Sequence, residues 1–378
     1  MDISTELSDE QVYEQIEQVI LEYSKTHYLP LEERLLLKQQ VFHSIRGFDV
    51  LDELLEDPSV TEIMVNGYQT IFYEKSGRLF LWEKQFDSEE RLLDVIQKMA
   101  AKANRVVNES SPIADTRLPD GSRVNVVLPP ASLDGPAVTI RKFSGCPITM
   151  ERLVDSGSIS AEARDYLIRA VKEKKNIFIS GGTGSGKTTF LNALSSFIPD
   201  GERVVTIEDA AELQLRNVSN LVRLEVRRAN AEGCAAISVR DLIRTALRMR
   251  PDRIIVGEVR GAEALDMLQA MNTGHSGSLS TGHANSTVDM ISRLETMVLE
   301  GSEMPLFAIR KQIASAIDIF VHLSRRKDGS RGVEEISENA GLKEGELVLK
   351  RIYGYDKEKA AFFNCCEKTA AADTENCA

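Results

Sequence analysis

The chain has 378 residues, 42% of them hydrophobic and 28% charged, a composition typical of a globular protein too long for one ordinary core. It contains no run of eighteen apolar residues and begins with an acidic stretch, so we expect neither a transmembrane helix nor a secretory signal. The net charge of −12 argues against broad affinity for nucleic acid, and the five cysteines, without a CxxC pair, indicate neither a disulfide framework nor a zinc module.

The first 143 residues predict two kinds of structure. Apolar residues recur at helical spacing as far as Gly47, so residues 1–56 are predicted to be a helical segment, either a packing arm or a docking site for a partner. The period then changes to two. Strands are predicted at 60–66, 69–74 and 78–82, a helix at 88–104, two strands around the turn at 119–121, and a last strand at 137–143. Residues 57–143 are therefore predicted to be a small α+β (PAS-like) domain.

The remainder of the chain predicts an α/β domain. After a linker at 144–158, apolar runs predict strands at 176–180, 203–207, 221–226 and 253–258, and helices are expected near 186–196, 238–249, 261–272, 286–299 and 305–316. Further β segments are expected around 318–324 and 346–355, and a weakly ordered tail is expected from residue 357. Strands that alternate with helices favour a mostly parallel sheet, here over residues 159–356.

A phosphate-binding motif lies at the first of these strand–helix junctions. GGTGSGKT at 181–188 matches G-x-x-x-x-G-K-[ST] and stands between the apolar run NIFIS and a predicted helix. In such a loop, glycines allow successive backbone N–H groups to surround a phosphate, Lys187 supplies a cation and the Thr188 hydroxyl binds Mg²⁺. A glycine-rich turn without a ligand is the alternative, and the strand before the loop and the helix after it argue against that alternative.

Acidic residues end two of the predicted strands. Glu208, Asp209 and Glu212 follow RVVTI, and Glu258 ends RIIVG. The carboxyl ends of parallel strands face the ligand crevice, so these acids can converge beside the P-loop, one near the Mg²⁺ water shell and another near the attacking water. Helix capping or a solvated charge would explain Glu208 or Asp209 more easily than Glu258, which follows three apolar residues and a glycine.

Arginines are frequent just before the second of these strands. Arg244, Arg248 and Arg250 lie in RTALRMRPD. Either they form a salt-bridged surface or they face the nucleotide of a neighbouring subunit.

Two of the five histidines lie in the stretch TGHSGSLSTGHANS, residues 273–286. His275 and His283 are eight residues apart, whereas a metal-binding pair on a helix is three or four apart, so a metal site is disfavoured. GSLSTGH is predicted to be a short strand that ends at His283 beside Glu258. An imidazole there can donate a hydrogen bond to a γ-phosphate or to the attacking water.

In this order the motifs resemble those of the secretion-ATPase superfamily, which serves type II and type IV secretion, type IV pili and conjugation. GGTGSGKTT, TIEDAAE, IIVGE and TGHSGSLSTGH carry the resemblance, which extends from about residue 50 to 355. RLPDGSRVN, TIRKF, RTALRMRPD and GEVRGAEALDMLQAMNTGH resemble the CpaF-like ATPases of Tad (Flp) pilus assembly more closely. Ala210 and Gly261 stand where pilus motors and many other relatives have proline and aspartate, which points to the Tad and conjugation branches.

The resemblance implies a RecA-like P-loop NTPase domain that uses ATP and Mg²⁺. The implied catalytic residues are Lys187, Glu212, Glu258, His283, Arg123 and Arg141. The implied nucleotide-binding residues are Gly181, Gly182, Thr183, Gly184, Ser185, Gly186, Lys187, Thr188, Thr189 and His275, with Thr188 and Glu258 at the metal. Which of Glu212 and Glu258 is the base, and which histidine senses the γ-phosphate, stay open.

The implied activity is ATP hydrolysis by a homohexameric motor that drives Tad pilus assembly through nucleotide-dependent domain motion. The implied partner is a platform protein of the inner membrane, and the implied location is its cytoplasmic face, without direct binding of nucleic acid. A conjugation or type IV secretion ATPase is the first alternative. A RecA-like nucleic-acid motor is the second, and the acidic charge and 6% aromatic content argue against it. A scaffold that binds ATP without hydrolysis would lack the strand-end acids that this chain has.

Overall fold

A computed structural model of the chain describes residues 8–75, 77–103, 105–143, 148–227, 235–326, 328–358 and 361–365. The chain divides into two compact units, Met1–Gly145 and Cys146–Ala378. No helix within the described ranges is both long and apolar enough to cross a membrane.

Two long helices open the first unit and pack through one apolar stripe each. α1 (Asp9–Ser24) begins with a capping box, in which Ser8 and Gln11 each accept a hydrogen bond from the backbone N–H of the other. Its buried residues recur every four positions and pack against α2 (Leu31–Arg46): Val12, Ile16 and Ile20.

The chain then turns through a 3₁₀ segment (Asp49–Leu51) and α3 (Asp52–Glu56) into the core of the first sheet. Phe48, Leu51 and Leu54 are buried in that core. The predicted boundary at residue 56 therefore does not separate the helices from the sheet, because the last apolar residues of the helical segment fill the sheet's own core.

An antiparallel six-stranded sheet forms the rest of the first unit. Its strands are β1 (Val60–Asn66), β2 (Thr70–Lys75), β3 (Arg78–Leu81), β4 (Ile113–Arg117), β5 (Arg123–Val127) and β6 (Ala137–Arg141), in the order β3-β2-β1-β6-β5-β4. α4 (Glu89–Lys102) buries its apolar face in the core that also holds the inward residues of this sheet. Ser88 caps α4 by accepting a hydrogen bond from the Arg91 amide, as the sequence predicts.

The second unit is built on a nine-stranded sheet. Its helices are α5 (Met150–Asp155), α6 (Ala161–Lys172), α7 (Lys187–Ser195), α8 (Val239–Ala246), α9 (Glu263–Asn272), α10 (Thr287–Gly301) and α11 (Leu306–Ala316). Its strands are β7 (Ile177–Gly181), β8 (Arg203–Glu208), β9 (Asn220–Glu225), β10 (Arg253–Val259), β11 (Leu279–Gly282), β12 (Ile319–Arg325), β13 (Arg331–Lys343), β14 (Glu346–Asp356) and β15 (Ala361–Asn364).

Parallel pairing dominates this sheet, as the sequence predicts. The order is β15-β14-β13-β12-β7-β11-β10-β8-β9, and β12 through β9 are all parallel. β13, β14 and β15 extend it as an antiparallel meander. One face is buried beneath α5, α6 and α7 and the other beneath α8 to α11, which is why the central strands are apolar on both sides.

Three parts of the second unit differ from the prediction. The predicted linker 144–158 contains α5, where Met150 is fully buried. The helix that follows it, α6, was not predicted. β13 was not predicted either, because its outer half, which pairs with β14, contains no apolar run. The tail from residue 357, predicted to be weakly ordered, includes β15, which pairs with β14; residues 359–360 and 366–378 lie outside the described residues.

Candidate active site

The predicted P-loop connects the buried strand β7 to α7. Gly186 precedes the helix with a φ of 93°, a conformation that favours glycine, so the chain can turn sharply into the first helical turn. A Cβ atom at Gly181 would collide with the Leu323 carbonyl oxygen of the neighbouring strand. Thr188 and Thr189 follow in the first turn and are half-buried. The unpaired N–H groups of that turn make it an anion-binding site.

Lys187 is buried at the base of this loop. Its Nζ donates hydrogen bonds to the carbonyl oxygens of Gly181 (3.1 Å) and Gly182 (3.0 Å), and it lies 3.2 Å from Nδ1 of His283. An ammonium group has no lone pair, so Nδ1 must be the acceptor, and the ring proton then resides on Nε2. Burial lowers the pKa of Lys187, and the nearby carboxylate of Glu258 opposes that shift.

His283 connects this lysine to Glu258. β10 and β11 are parallel neighbours, so His283, just after β11, stands beside the end of β10. Nε2 of His283 lies 2.8 Å from Oε1 of Glu258, within ion-pair distance although the contact is not aligned as a hydrogen bond. Burial lowers the pKa of His283, which favours the neutral ring that the contact with Lys187 requires. The structure thus brings Lys187, His283 and Glu258 together.

Arg260, which the sequence analysis did not single out, holds the other oxygen of Glu258. Its guanidinium donates to Oε2 at 2.7 Å and forms an ion pair with Asp209 at 3.2 Å. The hydrogen bond to Glu258 raises the pKa of Arg260. Glu258 and Arg260 are two residues apart at the end of a strand, a spacing that places side chains on one face, so this pairing was readable from GEVR.

The acidic segment after β8 is organised by Glu208. Its Oε2 accepts hydrogen bonds from the backbone N–H groups of Glu212 (2.7 Å) and Leu213 (2.8 Å), and burial raises the pKa of its carboxyl group. Asn192 of α7 donates to the Glu212 carbonyl oxygen at 3.3 Å. Glu212, the predicted catalytic carboxylate, is half-buried in this turn, and its charge acts on both Glu208 and Arg260.

The structure does not bring His275 to the P-loop. His275 lies before the amino end of β11, where its Nδ1 is 3.2 Å from the Ala270 carbonyl oxygen, whereas the P-loop follows the carboxyl end of the parallel neighbour β7. The two histidines therefore stand at opposite ends of β11 and cannot bind one metal ion. The prediction that His275 contacts a nucleotide on this P-loop is therefore wrong. Four strand residues, about 13 Å of extended chain, separate the end of β11 where His275 lies from the end beside the P-loop.

Arg123 and Arg141 lie in the first unit. They are direct partners on the adjacent strands β5 and β6, and Arg117 of β4 stands opposite Arg123 on the other side. Directly opposite residues share a face of the sheet, so these three arginines form one row. Arg123 and Arg141 are exposed.

Of the three arginines predicted either to form a salt-bridged surface or to face the nucleotide of a neighbouring subunit, Arg244 forms a salt bridge in this structure. Arg244 donates to the buried Asp266 of α9 at 2.9 Å, and Arg240 forms an ion pair with the same carboxylate. Arg248 and Arg250 are exposed.

Comparison with known proteins shows the family to which the chain belongs. Residues 45–354 match the family described as type II/IV secretion system protein. A putative conjugal transfer protein of Mycobacterium tuberculosis is 34% identical over 87% of this chain and 95% of its own length. The type IV secretion system protein PtlH of Bordetella pertussis is 36% identical over 72% and 87%. The X-ray structure of the Legionella pneumophila ATPase DotB matches with a TM-score of 0.55, 23% identity, and coverage of 76% of this chain and 79% of that chain.

The parallel sheet with its P-loop defines a RecA-like α/β protein, and the likeness to DotB shows the same fold. The chain belongs to the type II/IV secretion system protein family, within the superfamily of secretion ATPases. The resemblance drawn from the four motifs is thereby confirmed at the level of the superfamily.

Proposed function

We propose that this protein binds ATP at the P-loop and hydrolyses it. The observation that carries the proposal is the line of contacts from Lys187 through His283 to Glu258, at the carboxyl end of the parallel strands. A loop that only bound phosphate would need the glycines and the lysine. Hydrolysis needs in addition a group that orients or deprotonates the attacking water, and the carboxylate of Glu258, in contact with His283, can do this.

Each residue has a distinct task in this proposal. The N–H groups of the loop and of the first turn of α7 hold the phosphates, and Lys187 exchanges the Gly181 and Gly182 carbonyl oxygens for phosphate oxygens. Glu258, with one oxygen held by Arg260, and Glu212 share the two carboxylate tasks: one orients the attacking water and the other holds the water shell of the metal ion. His283 lies between Lys187 and Glu258, so it contacts the groups on both sides of the transferred phosphate. Glu212 is the second carboxylate.

The residues present fit a magnesium ion. The Thr188 hydroxyl stands in the first turn of α7, and Oε1 of Glu258 is buried and accepts no hydrogen bond within the described part of the chain. Hard oxygen ligands of this type suit Mg²⁺, which Glu258 would hold partly through water. When bound, the ion neutralises charge that develops on the phosphate oxygens.

For the biological system, we propose a motor of Tad pilus assembly. It would act as a homohexamer with an inner-membrane platform protein at the cytoplasmic face, as the resemblance implies. The motifs RLPDGSRVN and GEVRGAEALD support this proposal, as do Ala210 and Gly261. The second candidate is a conjugation or type IV secretion ATPase, favoured by the names of the two relatives at 34% and 36% identity.

The test of hydrolysis is Lys187→Ala. We expect ATP turnover to fall to background while circular dichroism stays unchanged, because the variant removes the cation that meets the phosphates. Lys175→Ala is the matched control: this lysine is exposed near the amino end of β7, pairs with Asp318 at 3.4 Å, and should be dispensable for turnover. Wild-type turnover in Lys187→Ala would contradict the proposal.

The same variant distinguishes the two systems in the source cell. If Lys187→Ala abolishes surface pili while transfer of DNA and protein continues, the Tad assignment is supported. Loss of transfer with normal pili would replace it by the second candidate. Light scattering on the purified protein with ATP tests the hexamer, and a monomer under those conditions would contradict it.

A further inference from the structure

The segment that carries Glu212 has no regular secondary structure. It follows β8, and residues 211–215 form neither a helix nor a strand. In a helix or a strand, backbone hydrogen bonds fix the place of each side chain, whereas the backbone groups of an irregular segment need other partners. The place of the Glu212 carboxylate, which the proposed mechanism uses, therefore depends on the groups that hold this segment.

Both backbone groups of Glu212 are bound by side chains. Its N–H donates to Oε2 of Glu208 at 2.7 Å, and its carbonyl oxygen accepts from Nδ2 of Asn192 at 3.3 Å. The N–H of Leu213 also donates to Oε2 of Glu208, at 2.8 Å. The N–H of Gln214 donates to Oδ1 of Asn192, at 2.8 Å. Two side chains thus accept from three consecutive backbone N–H groups, and we call this pair the Glu212 clamp.

Asn192 connects the clamp to the P-loop. A backbone N–H can only donate, so the amide oxygen of Asn192 must face Gln214 and its amide nitrogen is left to face the Glu212 carbonyl oxygen. Asn192 lies in α7, the helix that begins at Lys187 of the P-loop. The segment of Glu212 is therefore attached to the same helix whose first turn is proposed to hold the phosphates.

Glu208 connects the clamp to the neighbouring strand. It ends β8 and is 4% exposed, and a Cβ atom at Gly257 of β10 would lie 3.0 Å from its Cγ. Gly257 directly precedes Glu258, so the lack of a side chain there lets Glu208 pack beside the strand that carries the other carboxylate. Burial raises the pKa of the Glu208 carboxyl group, and its Oε1 accepts no hydrogen bond within the described ranges.

We propose that Asn192 and Glu208 are positioning residues of the ATPase site, which hold the backbone of Glu212 so that its carboxylate keeps a fixed place relative to the P-loop and to Glu258. This inference rests on the proposed function, since Glu212 has its task only in hydrolysis. Asn192 and Glu208 act through Glu212 and make no contact with the nucleotide. A displacement of about 1 Å in a reacting group can cost about a hundredfold in rate, so loss of the clamp should be measurable.

The first measurement compares kcat with nucleotide affinity for Asn192→Ala in the full chain. Asn192 is half-buried, so water can reach the groups that it leaves, and the variant should fold. We expect kcat to fall about ten- to a hundredfold, with the Kd of a fluorescent ADP analogue within about threefold of the wild type, because the first turn of α7 is unchanged.

Asn217→Ala is the matched control. Nδ2 of Asn217 donates to the Ser196 carbonyl oxygen at 3.3 Å, a bond between the end of α7 and the chain after β8 that does not involve Glu212. Its kcat should stay within about threefold of the wild type. Wild-type kcat in Asn192→Ala, equal losses in Asn192→Ala and Asn217→Ala, or a fall in affinity that matches the fall in kcat would each overturn the proposal.

The second comparison separates the hydrogen bonds of Glu208 from its charge. In Glu208→Gln one amide oxygen can accept from both N–H groups, whereas Glu208→Ala leaves both without an acceptor. We expect Glu208→Ala to lower kcat about ten- to a hundredfold and Glu208→Gln to restore it to within about threefold of the wild type. Equal loss in the two variants would overturn the positioning role, because it would show that the carboxylate itself is required.

The third measurement does not depend on hydrolysis. Hydrogen exchange by mass spectrometry should show faster exchange of the peptide that contains residues 212–214 in Glu208→Ala than in Glu208→Gln, and in Asn192→Ala than in Asn217→Ala, with unchanged exchange in β7. Identical exchange within each pair would count against the clamp. If the wild-type chain proves not to hydrolyse ATP, the proposed function fails, and the exchange comparison still decides whether the clamp exists.

Discussion

At the scale of single residues, the site depends on the proton that His283 lacks. Lys187 can donate to Nδ1 only while that nitrogen is unprotonated. Burial lowers the pKa of His283, Lys187, Arg260 and Arg293 lower it further, and Glu258 opposes them. The pKa of His283 therefore lies below its ordinary value, and the ring gains its proton only as the pH is lowered. Protonation sets two donors against each other and breaks the contact.

A pH profile checks this protonation state. The kcat of the wild type should fall as the pH is lowered from 8 to 5.5, because Lys187 loses its imidazole acceptor when His283 gains a proton. His283→Gln is the control, since its amide can accept from Lys187 and does not titrate in this range. The ratio of wild-type to variant kcat should fall with decreasing pH. A ratio that stays constant from pH 8 to 5.5 would show that His283 is not the titrating group.

At the scale of elements, the two ends of the parallel strands have different roles. The carboxyl ends carry the P-loop, Glu258 and His283. At the amino end of β10, Arg253 is fully buried and bonds both oxygens of Glu202, which precedes β8, and the Gly277 carbonyl oxygen before β11. One guanidinium thus joins the starts of three adjacent strands. A planar group with five donors suits this arrangement, and a lysine would not replace it.

Removal of one partner of this buried pair should destabilise the second unit. Glu202→Ala leaves the charge of Arg253 buried and uncompensated, which costs about 3–5 kcal/mol. Urea unfolding of the full chain measures the loss. Lys175→Ala, which breaks an exposed pair with Asp318 at the same edge, should cost about 0–1 kcal/mol. If Glu202→Ala lowered the unfolding free energy no more than Lys175→Ala, the proposed role of Arg253 would be wrong.

At the scale of the whole molecule, we propose that the first unit contributes to hydrolysis through Arg123 and Arg141. They are adjacent in a row of three arginines across β4, β5 and β6, and in β1 the next residue opposite Arg141 is Glu62. Guanidinium groups in such a row suit a polyphosphate. The proposal that they reach the nucleotide bound by Lys187 comes from the resemblance and stays a prediction.

Arg123→Ala tests that proposal. We expect nucleotide binding to persist, since the P-loop is intact, and hydrolysis to fall by about a hundredfold or more because a transition-state cation is missing. Binding of a fluorescent ADP analogue and steady-state ATP turnover measure the two steps separately. Arg78→Ala, on the exposed edge strand β3 of the same sheet, is the control. Normal turnover in Arg123→Ala would exclude Arg123 from a role in catalysis.

Local patterns were enough for much of the fold and for part of the site. The apolar runs of β7, β8 and β10 are buried on both faces of the sheet, so four or five adjacent residues identified each strand. The P-loop was readable because its chemistry is encoded in eight consecutive residues. α6 has an equally local signal, with Ser160 as its cap and apolar residues at 163, 167, 170 and 171, and could have been found.

Only the tertiary structure decided which residues that are distant in the chain contact one another. Glu202 meets Arg253 across 51 positions, Lys187 meets His283 across 96 and Ser180 meets His322 across 142. The motif TGHSGSLSTGH left open which histidine senses the γ-phosphate, and a four-residue strand between the two places His283 at the P-loop and His275 at the opposite end of the strand. The sequence by itself determined which residues could carry the chemistry. Which of them meet depended on strand order and direction, because a parallel sheet gathers the ends of strands that are far apart along the chain.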